Sequence, residues 1–447
     1  MGRKSKTKGL VVWMNGERVG VWSILPSNIH EFRYDGSWLE FPDVRPISLS
    51  MPIVTKDYIY KGQVVEAFFE NLLPDSVDIR RRLQRRFSVE TDSAFDLLAQ
   101  IGRDCVGAIQ LLPEGESPQD VRTISAEPLD EAGVARILRQ VVASSGFGQA
   151  GDDDFRISIA GVQEKTALLW NEGQWCKPMR STPSSHIFKL PLGFVGVMQA
   201  DMSDSVENEW LCAKIVEAFS LPVAHCDIAD FEDQHVLIVE RFDRRLSADR
   251  RWWIRLPQED MCQATGTPPG AKYENEGGPG MVRIMDLLIG SRNALVDRRN
   301  FLKAQVLYWL LAAPDGHAKN FSIFLEPQGR FSLTPLYDVL SSYPILGHGN
   351  NKLAPQKLTM AMSVFGKDTH KKWAHITASH WRTTASKCRA QGEIEGILHE
   401  VIEETPKAIE AVSSALPDGF PSTVSEPILE GIQVAVERLR KGIVPEV

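Results

Sequence analysis

The chain has 447 residues, 43% of them hydrophobic and 24% charged; that is long enough for two or three domains and too apolar for a disordered chain. Its formal net charge of −8 argues against indiscriminate coating of nucleic acid while leaving room for a local basic patch. No apolar run approaches the ~18 residues of a membrane span, the basic residues 1–8 are followed by no apolar stretch of the signal-peptide kind, and Lys6 breaks the myristoylation pattern that Met1-Gly2 begins.

Asn15-Gly16, set between Val11-Val12-Trp13-Met14 and Arg18-Val19-Gly20-Val21-Trp22, predicts a β-hairpin. Val65, Phe68, Phe69 and Leu72 recur at helical spacing and Pro74 closes the run, which predicts a helix over 64–73. Arg80, Arg81, Arg82, Arg85 and Arg86 follow on a second helix; a solvated or ion-paired face is the plain reading and a partner surface the sharper one. A strand over 106–112 precedes a Pro-, Glu- and Ser-rich loop over 113–128. Further strands are expected at 157–159, 166–170, 186–190 and 236–242, with a helix over 207–219. Beyond Asp260 the pattern turns helical, at 282–288, at the very apolar 301–313, and in three helices over 380–447. The order is mixed α/β first and mostly α later, without an internal repeat. The six cysteines (105, 176, 212, 226, 262 and 388) are scattered and lack zinc spacing, which reads as free thiols in a reducing cytoplasm.

The most informative stretch is Asp315-Gly316-His317-Ala318-Lys319-Asn320, with Asp338 eighteen residues further on. A polar loop between the buried-looking helix 301–313 and the apolar strand 321–325 must reach solvent or bind something. Asp-Gly alone is a common turn. If strands 321–325 and 331–334 form a hairpin, Asp338 returns beside Asn320, and two oxygen ligands converge as a Mg²⁺ site needs. The spacing is similar to that of protein kinases, in which the first Asp receives the acceptor's proton and the Asn and second Asp hold Mg²⁺. Lys189 lies in an apolar strand; it suits a lysine that meets ATP phosphates, or an edge lysine facing water. Glu207 and Glu209 are its candidate partners, and the sequence leaves the choice open. The loop Ala160, Gly161, Val162, Gln163, Glu164, Lys165 offers backbone amides and a lysine to phosphates, yet it has one glycine rather than three. Glu240-Arg241-Phe242 ends a strand, where backbone groups would face adenine or Arg241 would pair with Asp243. His317 has no companion ligand, and His370, His375 and His380 read as surface residues. Residues 367–389 carry six basic side chains and Asp368, with Trp373 and Trp381 interleaved; this is a local positive patch suited to phosphate backbones, or a solvated face.

Together these segments resemble the HipA toxin family, serine/threonine kinases of bacterial toxin–antitoxin pairs. The resemblance also includes Phe69-Glu70-Asn71-Leu72-Leu73-Pro74-Asp75, Ile101-Gly102-Arg103-Asp104, Ile157-Ser158-Ile159, Arg255-Leu256-Pro257-Gln258-Glu259-Asp260 and Gly277-Gly278-Pro279-Gly280. It implies an α+β, bilobal, divergent kinase-like fold: an N-terminal subdomain at 1–115, a kinase N-lobe at 150–262 and a mainly helical C-lobe at 263–447. It implies ATP and Mg²⁺ as cofactors, Asp315 as catalytic base and Asn320 and Asp338 as metal ligands. Lys189, residues 160–165, Glu240, Arg241, Phe242, His317, Ala318, Lys319 and Tyr337 would line the nucleotide site. Ser158 would be the site of self-inactivating autophosphorylation, which adds about two negative charges beside the phosphate loop. The expected partners are a HipB-like helix-turn-helix antitoxin dimer and, through it, operator DNA; the expected substrate is glutamyl-tRNA synthetase. The local positive charge, rather than the resemblance, makes Lys371, Lys372 and Arg382 candidate DNA contacts. Pro314 departs from the family's motif and puts the geometry of the Asp315 loop in question. Two other readings are a nucleotide-binding scaffold acting as a co-repressor on DNA, and a small-molecule or lipid kinase of similar fold.

Overall fold

The computed structural model describes residues 8–142, 163–196 and 199–442. Ser158, Ala160, Gly161 and Val162 therefore lie outside the described residues.

The Asn15-Gly16 turn forms as expected. Both residues take positive φ, 49° and 92°, the geometry a two-residue hairpin needs. It joins strands Lys8–Met14 and Glu17–Ile24 of a five-stranded antiparallel sheet. The strand expected at 106–112 is Ile109–Pro113, paired to the first strand. The inner face of this sheet covers helices Gln63–Glu70 and Ala94–Ile101, and Trp22 stacks on Phe69 with ring centroids 4.0 Å apart. Helix Val77–Arg86 runs along the outside and buries none of its residues.

A second, six-stranded sheet has the order Cys226–Phe231, Gln234–Glu240, His186–Lys189, Lys165–Asn171, Gln174–Pro178, Ala126–Pro128. Its edge strand Ala126–Pro128 lies within the stretch read as loop, and the helix Glu131–Val142 follows it in a stretch given no element from the sequence. Val134, Ala135 and Leu138 of that helix pack against Leu168, Phe188, Val236 and Ile238. The opposite face of the sheet is covered by helix Ser205–Ala218, which is buried on several sides because it lies between the sheet and the helical half.

The helical half is built on Ala294–Leu310, whose residues from Phe301 onward are all buried. Around it lie helices Ala378–Lys387, Gln391–Ser414 and Ser422–Lys441, the three expected near the C-terminus. Strands Ser322–Leu325 and Phe331–Leu333 form the expected hairpin, with Gln258–Asp260 added beside the first. That strand stops at Leu333, so Asp338 lies in the loop beyond it rather than at its end, with φ 61°.

A buried ionic knot joins the first sheet's subdomain to the rest. Asp104 accepts from Ser184, Arg241, Arg244 and Arg255, and Asp243 accepts from Gly107, Arg241 and Arg244. Burial opposes ionisation of Asp104, but the three guanidinium groups hold its carboxyl well below the usual range.

Candidate active site

Two clusters meet at the junction of the second sheet and the helical half. The first grows from strand register: Lys165 pairs directly with Lys189 across the ladder, so both ammonium groups leave the same face. Lys189 is only 6% exposed, and a lysine buried to that degree needs partners. It finds them in Glu209, at 2.6 Å, and Asp338, at 2.8 Å. Glu209 is therefore the carboxylate that the sequence left undecided; Glu207 points instead to His235. Lys189 is not an edge lysine facing water. Burial alone would lower its pKa, yet Asp338 and Glu209 raise it well above the usual value. Burial likewise opposes the Asp338 carboxylate, but Lys189 and Lys165 hold it well below the usual range. Burial and then the charge of Lys189 lower Lys165 to about 8.

The second cluster is the loop after the long buried helix. Ala312 turns the chain with φ 48°, and the amide of Ala313 closes back on Tyr308 O at 2.8 Å. Pro314, a natural stop for the helix, presents its carbonyl to the amide of Ala361 at 2.9 Å, and the loop forms. Asn320 donates Nδ2 to the carbonyl of Asp315 at 2.8 Å, and the amide of His317 donates to the same carbonyl at 2.7 Å. Gly316 is required by contact, since a Cβ there would lie 2.5 Å from the Tyr308 ring. The side chain of Asp315 is 44% exposed, and its Oδ1 accepts the hydroxyl of Tyr273. His317 is buried with Nε2 3.8 Å from that same oxygen, its ring edge-on to Tyr273, and burial lowers its pKa. Lys319 is tied to Asp75 at 2.6 Å, and Asp75 also holds Lys272 at 2.9 Å.

Tyr337 links the clusters. Its hydroxyl donates to the carbonyl of Lys319 at 2.8 Å and meets Ser322 Oγ at 2.6 Å, one residue before Asp338. Its ring lies 5.7 Å from that of Phe242. Of the segment Glu240, Arg241, Phe242, only Phe242 brings its side chain here. The Arg241 side chain enters the ionic knot, as the ion-pair reading had it, and the backbone amides of Glu240 and Arg241 are taken by His225 O and Ser185 O. From the phosphate-loop candidate, Gln163 donates to Leu190 O and Glu164 pairs with Arg82. Sequence reasoning missed Tyr273, Asp75 and Lys272 at this site, and read Arg82 only as part of an ion-paired helix face; Asp75 stood within a quoted motif, while Tyr273 carried no signal beyond its loop.

The basic stretch 367–389 is corrected in part. Trp373 and Trp381 are buried in the core rather than interleaved on the surface. Arg382 is committed to a bidentate pair with Glu395, while Lys371 is half-buried and Lys372 exposed. His370 and His380 are half-buried with rings 4.2 Å apart, not plain surface residues. No cluster of three or more metal-ligating side chains of the His, Cys, Asp and Glu types occurs among the described residues.

A family model described as the HipA-like C-terminal domain matches residues 157–409, and one described as the HipA N-terminal domain matches residues 10–112. The chain belongs to the HipA family. Among relatives, the HipA-family chain is 32% identical over 385 residues, 85% of each sequence, to a Sinorhizobium fredii protein named "Putative kinase Y4mE". It is 28% identical over 309 residues, 66% of each, to the serine/threonine-protein kinase toxin HipA of Shewanella oneidensis. Its fold matches a chain in the complex of Shewanella oneidensis MR-1 HipA, HipB and operator DNA, with a TM-score of 0.77, 22% identity and 97% of both chains covered. The HipA fold is therefore the α+β, kinase-like fold expected from the sequence.

Proposed function

We propose that this protein is an ATP- and Mg²⁺-dependent serine/threonine kinase acting as the toxin of a toxin–antitoxin module. The observation that carries this reading is the buried Lys189 bridging Glu209 and Asp338, beside a loop that fixes Asp315 and Asn320. Lys189 is the phosphate-facing lysine, locked in place by its carboxylates, and Lys165 stands beside it. The donor set fits a hard cation. Asp338 is held ionised, and because the Asn320 amide spends its nitrogen on Asp315 O, its oxygen is left to coordinate. Mg²⁺ held by these two residues would offset charge on the ATP phosphates. Asp315 accepts the proton of the acceptor hydroxyl as the γ-phosphoryl group transfers and ADP leaves.

In this reading the substrate is a protein, glutamyl-tRNA synthetase being the expected one, and its phosphorylation stalls translation in the cytoplasm. A HipB-like helix-turn-helix dimer neutralises the toxin and carries it to operator DNA as co-repressor, with Lys371 and Lys372 near the DNA backbone. Autophosphorylation at Ser158 inactivates the kinase. Incubation with radiolabelled ATP and Mg²⁺ should label Ser158 and glutamyl-tRNA synthetase in the wild type, and neither in Asp315→Asn. ATP binding without transfer to any acceptor would favour a DNA-bound scaffold, and transfer to a metabolite would favour a small-molecule kinase. Charge reversal at Lys371 and Lys372 should lower both operator affinity and its salt slope in the ternary complex.

A further inference from the structure

Tyr273 lies 42 residues before Asp315, in a loop with no role in the reading above, yet its hydroxyl donates to Asp315 Oδ1. That loop is closely held. The carbonyl of Tyr273 accepts the amides of Glu276 at 2.9 Å and Gly278 at 3.0 Å. On one side, Lys272 is paired with Asp75 and its carbonyl accepts the amide of Ala318. On the other, Glu274 Oε2 accepts the amide of Ser363 at 2.6 Å. Gly278 allows the loop to close on itself, since a Cβ there would lie 2.3 Å from Ala271 O. The Tyr273 ring stands at 83° to His317, centroids 4.9 Å apart. The phenol is thus fixed from its backbone, its neighbours and its ring face.

The two oxygens of Asp315 are therefore unlike. Oδ1 is engaged by Tyr273, whereas among the described residues no donor reaches Oδ2, and the side chain is 44% exposed. A general base needs one oxygen turned to the incoming hydroxyl and a fixed rotamer that keeps it there. The backbone of Asp315 is already fixed through its carbonyl by Asn320 and His317, but those contacts leave χ1 and χ2 free to turn. Among the described residues, Tyr273 alone hydrogen-bonds the carboxylate itself, with His317 Nε2 3.8 Å from the same oxygen.

We propose that Tyr273 is a positioning residue for phosphoryl transfer, holding Oδ1 of Asp315 so that Oδ2 is presented to the acceptor hydroxyl. The assignment rests on Asp315 being the base. In the transfer, the acceptor's proton passes to Oδ2, its oxygen bonds the γ-phosphorus, and the bond from that phosphorus to the β–γ bridging oxygen breaks with its electrons leaving on ADP. Tyr273 gains and loses nothing covalently.

The test uses the full chain with ATP, Mg²⁺ and whichever protein acceptor the wild type labels. Tyr273→Phe keeps the ring on His317 and deletes the donor. Its turnover should fall by about tenfold to a hundredfold, as loss of a hydrogen bond to a charged group implies, while KM for ATP stays within about twofold. In an Asp315→Asn background the same substitution should change the residual rate by less than about twofold, because the two residues act as one unit. A merely structural role would lower both backgrounds equally and would overturn the assignment. So would an unchanged Tyr273→Phe rate, or a faster one, which would make the phenol a blocking occupant. Phosphate found on Tyr273 itself by mass spectrometry would also overturn it, by making the phenol an acceptor. If the wild type transfers no phosphoryl group to any acceptor, the kinase reading falls first and this assignment falls with it.

Discussion

Lys189 shows at the scale of one residue how a site and a stability requirement share atoms. Its ammonium is buried between Glu209 and Asp338, with Lys165 its neighbour across the ladder. Lys189→Ala should therefore fail twice. Transfer should drop by more than about a hundredfold, as expected for loss of a charged phosphate partner. The fold should lose about 3 kcal/mol, since the partner of a buried ion is left unpaired. Adding Glu209→Gln should restore much of the denaturant midpoint and none of the activity. Recovery of activity by that second change would show that Lys189 matters only as a counter-ion. The lysine and its strand were visible in the sequence as an ammonium in an apolar run. Its partner was not, because Glu207 and Glu209 both sit on one helix and only the way that helix packs decides which faces inward.

Among elements, helix Val77–Arg86 is read correctly as ion-paired in part. Arg80 meets Glu70 and Arg82 meets Glu164, while Arg81 and Arg85 stay exposed. Arg82 thus reaches from the N-terminal subdomain to the strand that bears Lys165. Arg82→Ala should cost no more than about 1 kcal/mol in stability, because the pair is partly exposed, yet it should raise KM for ATP several-fold if the pair steadies Glu164 beside the phosphates. An unchanged KM would reduce the pair to surface decoration. Amphipathic elements such as Gln63–Glu70 were legible from spacing. Helix Glu131–Val142 was not, although Val134, Leu138 and Val141 recur at helical intervals, because a Pro- and Glu-rich loop masks its start. Helix Ser205–Ala218 was expected over 207–219; buried between a sheet and other helices, it shows little amphipathic contrast to mark its orientation. The hairpin near Asp338 was anticipated, but it ends at Leu333, and the turn that delivers Asp338 rests on positive φ and Tyr337 contacts that no periodicity encodes.

Across the whole molecule, the junction between the N-terminal subdomain and the kinase-like body is polar and buried. Three guanidinium groups surround two carboxylates there, so Asp104→Ala should leave an uncompensated cluster and cost about 3–5 kcal/mol in chemical denaturation; a loss below ~1 kcal/mol would mean that water already screens the knot. Glu259 lies at the same junction, fully buried, with Oε1 accepting the amide of Leu49 at 2.7 Å. Burial pushes it up to about 8 from an ordinary 4.5. The folded chain then keeps a proton that the unfolded chain releases, so stability is full below pH 4.5 and declines as pH rises through 8. Glu259→Gln should remove most of that slope, leaving the smaller contribution of Asp260, which burial raises to about 6. A slope unchanged by the substitution would place the titration elsewhere. Of this junction only the pairing of Arg241 with Asp243 was legible beforehand: Asp104, Arg241 and Arg255 are far apart in the chain, and only their convergence makes them a knot.

Asp75 belongs to the first subdomain by sequence, but its two oxygens are spent on Lys272 and Lys319 of the opposite half. Lys319 stands next to Asn320, and Lys272 next to Tyr273. The N-terminal subdomain thus supplies counter-charge to the loop that carries Asp315 and Asn320 rather than being an appendage to it. A fragment trimmed to the kinase-like body would leave two lysines unanswered beside the proposed phosphate site, altering its field before any substrate arrived. A ligand that prised the subdomain away would remove that counter-charge without touching Asp315 or Asn320 themselves.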